Sequence, residues 1–172
     1  ASHFRHGTLL KDLNQYWFSQ HPIQQLVIEL TERDALLDVD YRVVRELHRM
    51  GIKLAIDDFG TGNSSLSWLE KLRPDVLKID KSFTSAIGTD AVNSTVTDII
   101  IALGKKLNIE LVAEGVETQA QAQHLRRHGV HVLQGFLYAQ PMPLRDFPKW
   151  LAGSAPPPAR HKGHIMPLMP FR

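Results

Sequence analysis

The chain has 172 residues, 43% hydrophobic and 22% charged, with a formal net charge of +2. That length supports one domain with a sizeable core. The balance of 20 basic against 18 acidic residues argues against a DNA or RNA polymer or an anionic membrane as partner. With no cysteine, disulfides and thiolate metal sites are excluded, which is compatible with a cytoplasmic setting. No apolar run reaches the roughly 20 residues that a membrane helix needs.

In chain order, the pattern first predicts a helix over Thr8–Phe18. Five short apolar runs then end in polar residues: Leu26-Val27-Ile28-Glu29, Leu54-Ala55-Ile56-Asp57, Val76-Leu77-Lys78-Ile79-Asp80, Leu111-Val112-Ala113-Glu114 and Val132-Leu133-Gln134-Gly135-Phe136. Each reads as a buried strand, expected near residues 26–30, 53–57, 75–79, 110–114 and 132–137. Helical stripes lie between them. Val43, Val44, Leu47 and Met50 share a face and Gly51 follows as a C-cap. Leu66, Leu69 and Leu72 make a stripe that stops before Pro74, and Val92, Val96, Ile99, Ile100, Leu103 and Leu107 make a long one. Thr118 with Gln121 reads as a capping box opening a helix that ends near Gly129. Trp17, Trp68 and Trp150 fall on such stripes and read as packing residues.

This β-α alternation predicts parallel strands with helical crossovers. Residues 1–152 read as the domain and 153–172 as a Pro-rich basic tail, expected to be disordered, with His161 and His164 as solvated side chains.

Strand parity locates the chemistry. Alternate residues face opposite sides of a strand. One set, Leu26, Ile28, Leu30, Leu54, Ile56, Leu77, Ile79, Leu111 and Ala113, is wholly apolar, as a helix-covered outer face requires. The other holds Glu29, Thr31, Asp57, Lys78, Asp80 and Glu114, near the C-terminal strand ends, where parallel barrels build their sites. Any one acid alone reads as a solvated loop residue or helix cap. As a set, Glu29, Glu32, Asp57, Asp58, Asp80, Glu114 and Glu117 would converge at one mouth. So many carboxylates need compensation. Lys78 supplies one positive charge, and divalent cations are the natural remainder; oxygen donors suit Mg²⁺ or Mn²⁺. Gly60, Gly62 and Asn63 permit a tight loop, read equally well as a mobile substrate loop or a plain βα turn.

The strings Glu29-Leu30-Thr31-Glu32, Asp57-Asp58-Phe59-Gly60-Thr61-Gly62, Lys78-Ile79-Asp80, Ala113-Glu114-Gly115-Val116-Glu117 and Gln134-Gly135-Phe136 occur in that order. Together they closely resemble the EAL family of cyclic di-GMP phosphodiesterases, over Ala1 to about Leu151. The resemblance implies an α/β fold, a (β/α)8 TIM-type barrel with about five C-terminal β-α units present. It implies two Mg²⁺ or Mn²⁺ ions and hydrolysis of cyclic di-GMP to linear pGpG, in bacterial second-messenger signalling. Carried over by motif, Glu29, Asp57, Asp58 and Glu114 resemble metal ligands, with Asp57 bridging. Lys78 resembles the lysine holding the attacking water, and Glu114 is also a candidate general base. Glu32 resembles the anchor of the Asp57-Asp58 loop, while Thr61, Asp80, Glu117 and Gln134 resemble positions that line or support the site.

The family's Glu-Ala-Leu motif and an asparagine ligand lie before a segment resembling Ala1-Ser2-His3-Phe4, so three early strands are expected to be missing here and the chain alone to be impaired. The parent is expected to carry an upstream sensory or membrane region, anchored in the inner membrane with this domain cytoplasmic, and a homodimer is compatible with the resemblance. Two other readings stay open: a non-catalytic cyclic di-GMP-binding or regulatory module, and a Schiff-base lyase using Lys78, which the surrounding acids disfavour.

Overall fold

A computed structural model describes residues 8–17, 26–37, 39–62, 67–130 and 132–153. Phe18, Asn63, Leu66 and the tail from residue 154, with His161 and His164, lie outside the described residues. The elements are α1 (Thr8–Asp12, running into a π-helical turn Leu13–Trp17), β1 (Val27–Thr31), α2 (Glu32–Leu37), α3 (Tyr41–Arg49), β2 (Lys53–Phe59), α4 (Ser67–Leu72), β3 (Val76–Ile79), α5 (Lys81–Ser85), α6 (Val92–Leu107), β4 (Glu110–Ala113), α7 (Gln119–Arg127), β5 (Val132–Leu133) and α8 (Phe147–Leu151).

The five strands form one sheet in sequential order, every neighbouring pair parallel. Consecutive parallel strands with helical returns are a run of β-α units, the arrangement of a partial (β/α) barrel. The two parities separate as expected. Leu30, Leu54, Ile56, Leu77, Ile79, Leu111 and Ala113 are buried in one cluster with the helical residues Leu47, Trp68, Leu72 and Leu125. Ala55, Val76 and Val112 form a smaller cluster on the other face, with Val27 packed on it. Each fully buried leucine or isoleucine contributes about 1.5–3 kcal/mol, so the helix-covered face dominates stability.

Local signals act as the residue types dictate. The Thr118 hydroxyl accepts from Gln121 N (3.2 Å) and Gln121 Oε1 accepts from Thr118 N (2.9 Å), closing the capping box. Asp40 caps α3 through Arg42 N at 2.8 Å. Trp68 is buried, its ring 6.3 Å from that of Phe59, whereas Trp150 is half-buried and stacks on Phe147.

Two expectations are corrected. The inward face of α6 is Thr97, Ile100, Ile101 and Gly104, while Val92 and Ile99 are 79% and 60% exposed. Thr97 can be buried because its hydroxyl is shared between the carbonyls of Asn93 (2.8 Å) and Phe83 (3.0 Å). Gly104 lies inward because a Cβ there would meet Leu111 Cδ2 at 2.6 Å. The fifth strand spans only Val132–Leu133, not residues 132–137. Beyond it the chain still follows the exit of β4: Gln134 N donates to Ala113 O (2.8 Å), Val116 N to Gln134 O (2.9 Å) and Leu137 N to Val116 O (3.0 Å). Gly135 lies against the Val116 backbone, where any Cβ would overlap it, so regular strand geometry ends there. Among the described residues no helix is long and apolar enough to cross a membrane.

Candidate functional site

Four strand ends bring one cation and three carboxylates together. Lys78 comes from the middle of β3, where its inward parity buries the side chain to 4% exposure. Its Nζ lies 3.1 Å from Glu29 Oε2, 3.0 Å from Asp57 Oδ1 and 2.8 Å from Glu114 Oε1. Burial works against the ammonium, but hydrogen bonds to Glu114 and Asp57 outweigh it and hold the Lys78 pKa above its ordinary value. An ammonium ringed by three carboxylates is a poor carbonyl nucleophile, which disfavours the Schiff-base reading. Glu114 is held above the usual carboxylate range, first by burial and then by the charges of Asp57 and Glu29, with Lys78 opposing.

The acid pair sits at a defect in the sheet. Ile56 pairs with Leu77 and Phe59 with Ile79, so three steps along β2 match two along β3. One extra residue reverses the facing of everything after it. Asp57, before the extra residue, keeps the Lys78 side by plain alternation, while Phe59, after it, returns to the helix-covered core, 5% exposed. Asp58 occupies the bulge with φ +55°. Its pKa is raised by burial first, then by Asp57 and Asp80, with Lys78 opposing. The sequence signal was available: a strict alternation would have sent Phe59 to the polar side.

Below the pair, Glu32 is 4% exposed and its Oε2 accepts from Gly60 N (2.9 Å) and Gly62 N (3.3 Å). Thr61 closes the same turn, its hydroxyl donating to Asp58 O at 2.8 Å. Gly60 has φ +92°, and a Cβ there would meet Ile100 Cδ1 at 2.8 Å. This loop is therefore tied at both ends. Thr31, Glu32, Arg33, Leu36, Asp58, Thr61 and Gly62 line an open depression of about 520 Å³ beside it.

The remaining candidates are placed differently. Asp80 caps α5, its Oδ1 accepting from Ser82 N at 2.9 Å. Glu117 pairs with Lys81 at 2.8 Å. Gln134 stands half-buried at the end of β5, beside the turn that carries Glu114 and Glu117. Asp80 and Glu117 thus frame the mouth through helix-start contacts.

Three carboxylates against one ammonium leave a net negative mouth built from oxygen donors alone, which fits hard divalent cations. The EAL domain family matches residues 1–141, and the chain belongs to that family. It is 84% identical over 171 residues to the probable cyclic di-GMP phosphodiesterase PdeD of Escherichia coli (strain K12), covering 99% of this chain and 32% of that protein. The chain thus spans about a third of the length of that relative. The PaMucR phosphodiesterase in complex with c-di-GMP superposes with a TM-score of 0.73 at 40% identity, over 84% of this chain and 60% of that one. Klebsiella pneumoniae BlrP1, in a manganese and cyclic di-GMP complex, gives a TM-score of 0.66 at 34% identity, over 78% of this chain and 34% of that one.

Proposed function

We propose that this chain is the C-terminal part of a cyclic di-GMP phosphodiesterase domain that hydrolyses the cyclic dinucleotide to linear pGpG. The observation that carries the reading is the buried Lys78 ammonium within 3.1 Å of Glu29, Asp57 and Glu114 on four parallel strands. Relatives named for this activity, and a neighbour holding manganese with the same dinucleotide, support it.

In this reading Glu29, Asp57, Asp58 and Glu114 would hold two Mg²⁺ or Mn²⁺ ions. Bound there, the ions supply charge stabilisation and activate water for in-line displacement. Water adds to phosphorus, the P–O3′ bond breaks, and the new phosphate stays on the 5′ side. Lys78 orients the attacking water and offsets charge developing on the phosphoryl oxygens. Glu114, 2.8 Å from Lys78 Nζ, is placed to accept the proton of that water. Glu32 and Thr61 fix the turn that aims Asp57 and Asp58, while Asp80, Glu117 and Gln134 hold the rim. The depression beside Asp58 offers room for part of a nucleotide. Residues 1–152 form the domain portion in this reading, followed by the Pro-rich basic segment 153–172. The greater length of the E. coli relative supports a parent with further segments; a sensory or membrane-anchored input and a cytoplasmic, dimeric catalytic region complete this reading.

The test is cyclic di-GMP turnover to pGpG with Mg²⁺ or Mn²⁺, measured for this chain and for its full-length parent. The expected result is metal-dependent cleavage by the parent and little by the chain alone. A parent that binds the dinucleotide without cleaving it would replace the enzyme with a binding module.

A further inference from the structure

Away from the mouth, on the outer helices, two histidines and an aspartate converge. Among the described residues, Asp98, His124 and His128 are the one set of three His, Asp or Glu ligand atoms lying within 4.8 Å of one another. Asp98 projects from α6, His124 from α7, and His128 from the residue that ends α7. His124 Nε2 stands 3.1 Å from Asp98 Oδ1. The two imidazoles, one helical turn apart, have centroids 4.2 Å apart and planes inclined by 30°.

The hydrogen bonds decide which nitrogens are available. His128 Nδ1 lies 2.8 Å from the His124 carbonyl oxygen, which can only accept. Nδ1 therefore carries a proton, so that in the neutral ring the lone pair is on Nε2. A ligating histidine is held in the same way, with its other nitrogen donating to a carbonyl. His124 Nε2 already faces a carboxylate oxygen, so a cation between them would take the place of the bridging proton. Zn–N bonds of about 2.1 Å in a tetrahedral site put two donor nitrogens about 3.4 Å apart, and the ligand atoms here lie within 4.8 Å of one another.

Two imidazoles and one carboxylate are a borderline donor set. They suit Zn²⁺, Co²⁺ or Ni²⁺ rather than the Mg²⁺ that oxygen-only sites prefer. We propose that Asp98, His124 and His128 form a second, transition-metal site of this chain, with Zn²⁺ as the matching ion and solvent as the fourth ligand. Asp98 is on α6 and both histidines are on α7, so the ion would tie the two helices flanking β4 on the side away from Lys78.

The experiment uses the 172-residue chain, made without a histidine tag, in excess Mg²⁺ to occupy the oxygen-rich mouth. Zn²⁺ uptake is followed by calorimetry, with Co²⁺ as a spectroscopic probe of tetrahedral nitrogen ligation, and thermal unfolding is measured with and without Zn²⁺. His128→Gln and Asp98→Asn alter exposed positions, and circular dichroism confirms that both variants fold. The expected result is a single tight site in the wild type that raises the unfolding temperature. Each variant weakens it at least about tenfold and abolishes the temperature rise. Asp57→Asn leaves it unchanged, which separates this site from the mouth. The proposal is overturned if the wild type takes up no Zn²⁺ at micromolar concentrations, or if either variant binds as tightly as the wild type.

Discussion

Glu32→Ala isolates the device that aims the acid pair. The substitution removes the acceptor for two loop amides, Gly60 N at 2.9 Å and Gly62 N at 3.3 Å. A hydrogen bond to a charged acceptor contributes about 1.5–3 kcal/mol, and the longer bond belongs at the bottom of that range. Gly62 is exposed and recovers part of its loss from water, leaving a net loop destabilisation of about 2 kcal/mol. At about 1.4 kcal/mol per factor of ten, the turn should open roughly thirtyfold more often. The assay is amide exchange at Gly60 and Gly62, alongside Mn²⁺ affinity, which should fall by about tenfold as the ligand turn loosens. Global melting temperature is a weaker readout, because removing a buried carboxylate also removes its desolvation cost. Glu32→Gln keeps one acceptor oxygen and should show an intermediate effect. Gly60 exchange within about threefold of wild type in Glu32→Ala would refute the anchoring argument.

Three further outcomes are expected. In the full-length parent, Lys78→Arg should lower the single-turnover rate at least about a hundredfold with Mg²⁺ while cyclic di-GMP affinity in Ca²⁺ stays near wild type, because guanidinium cannot reproduce a positioned ammonium; a near-normal rate would reduce Lys78 to a neutralising charge. Phe59→Ala, which empties a buried position against Trp68, should cost about 3–5 kcal/mol in urea unfolding, and a loss under 1 kcal/mol would mean that Phe59 is not committed to the core as the bulge requires. Asp40 is held below the usual carboxylate range, first by its side-chain hydrogen bond with Arg42, so its contribution is present above the unfolded value and lost as pH falls through the folded one; an NMR titration should give a depressed Asp40 midpoint that returns toward the ordinary value in Arg42→Ala.

Much of the fold and half of the site were readable from alternation alone. The β1 to β4 runs are short, apolar and bounded by acids, so period two leaves little room for another reading, and Lys78 could be placed inward from its flanking Leu77 and Ile79. The bulge was not read because it shows only as two adjacent acids followed by an apolar residue, a pattern that also fits a strand simply ending at Asp57. The inward face of α6 was misplaced because hydropathy ranks Val92 and Ile99 above Thr97 and Gly104. Burial there follows a satisfied hydroxyl and a close approach to Leu111. The Asp98, His124 and His128 cluster has no local signature, since its aspartate is supplied by a different helix 26 residues before His124. Asp80 shares the inward parity but lies one residue past β3, so only the structure shows that its carboxylate also caps α5.

The Gly60 turn lies flush on Phe83 and Ile100, residues of the outer helices α5 and α6. The aim of Asp57 and Asp58 is thereby coupled to the volume of side chains on the far side of the sheet. A change of side-chain volume at Ile100 would therefore tilt the acid pair without touching either carboxylate. Drift at such positions would look like neutral repacking in an alignment, yet would register as altered metal preference in an assay.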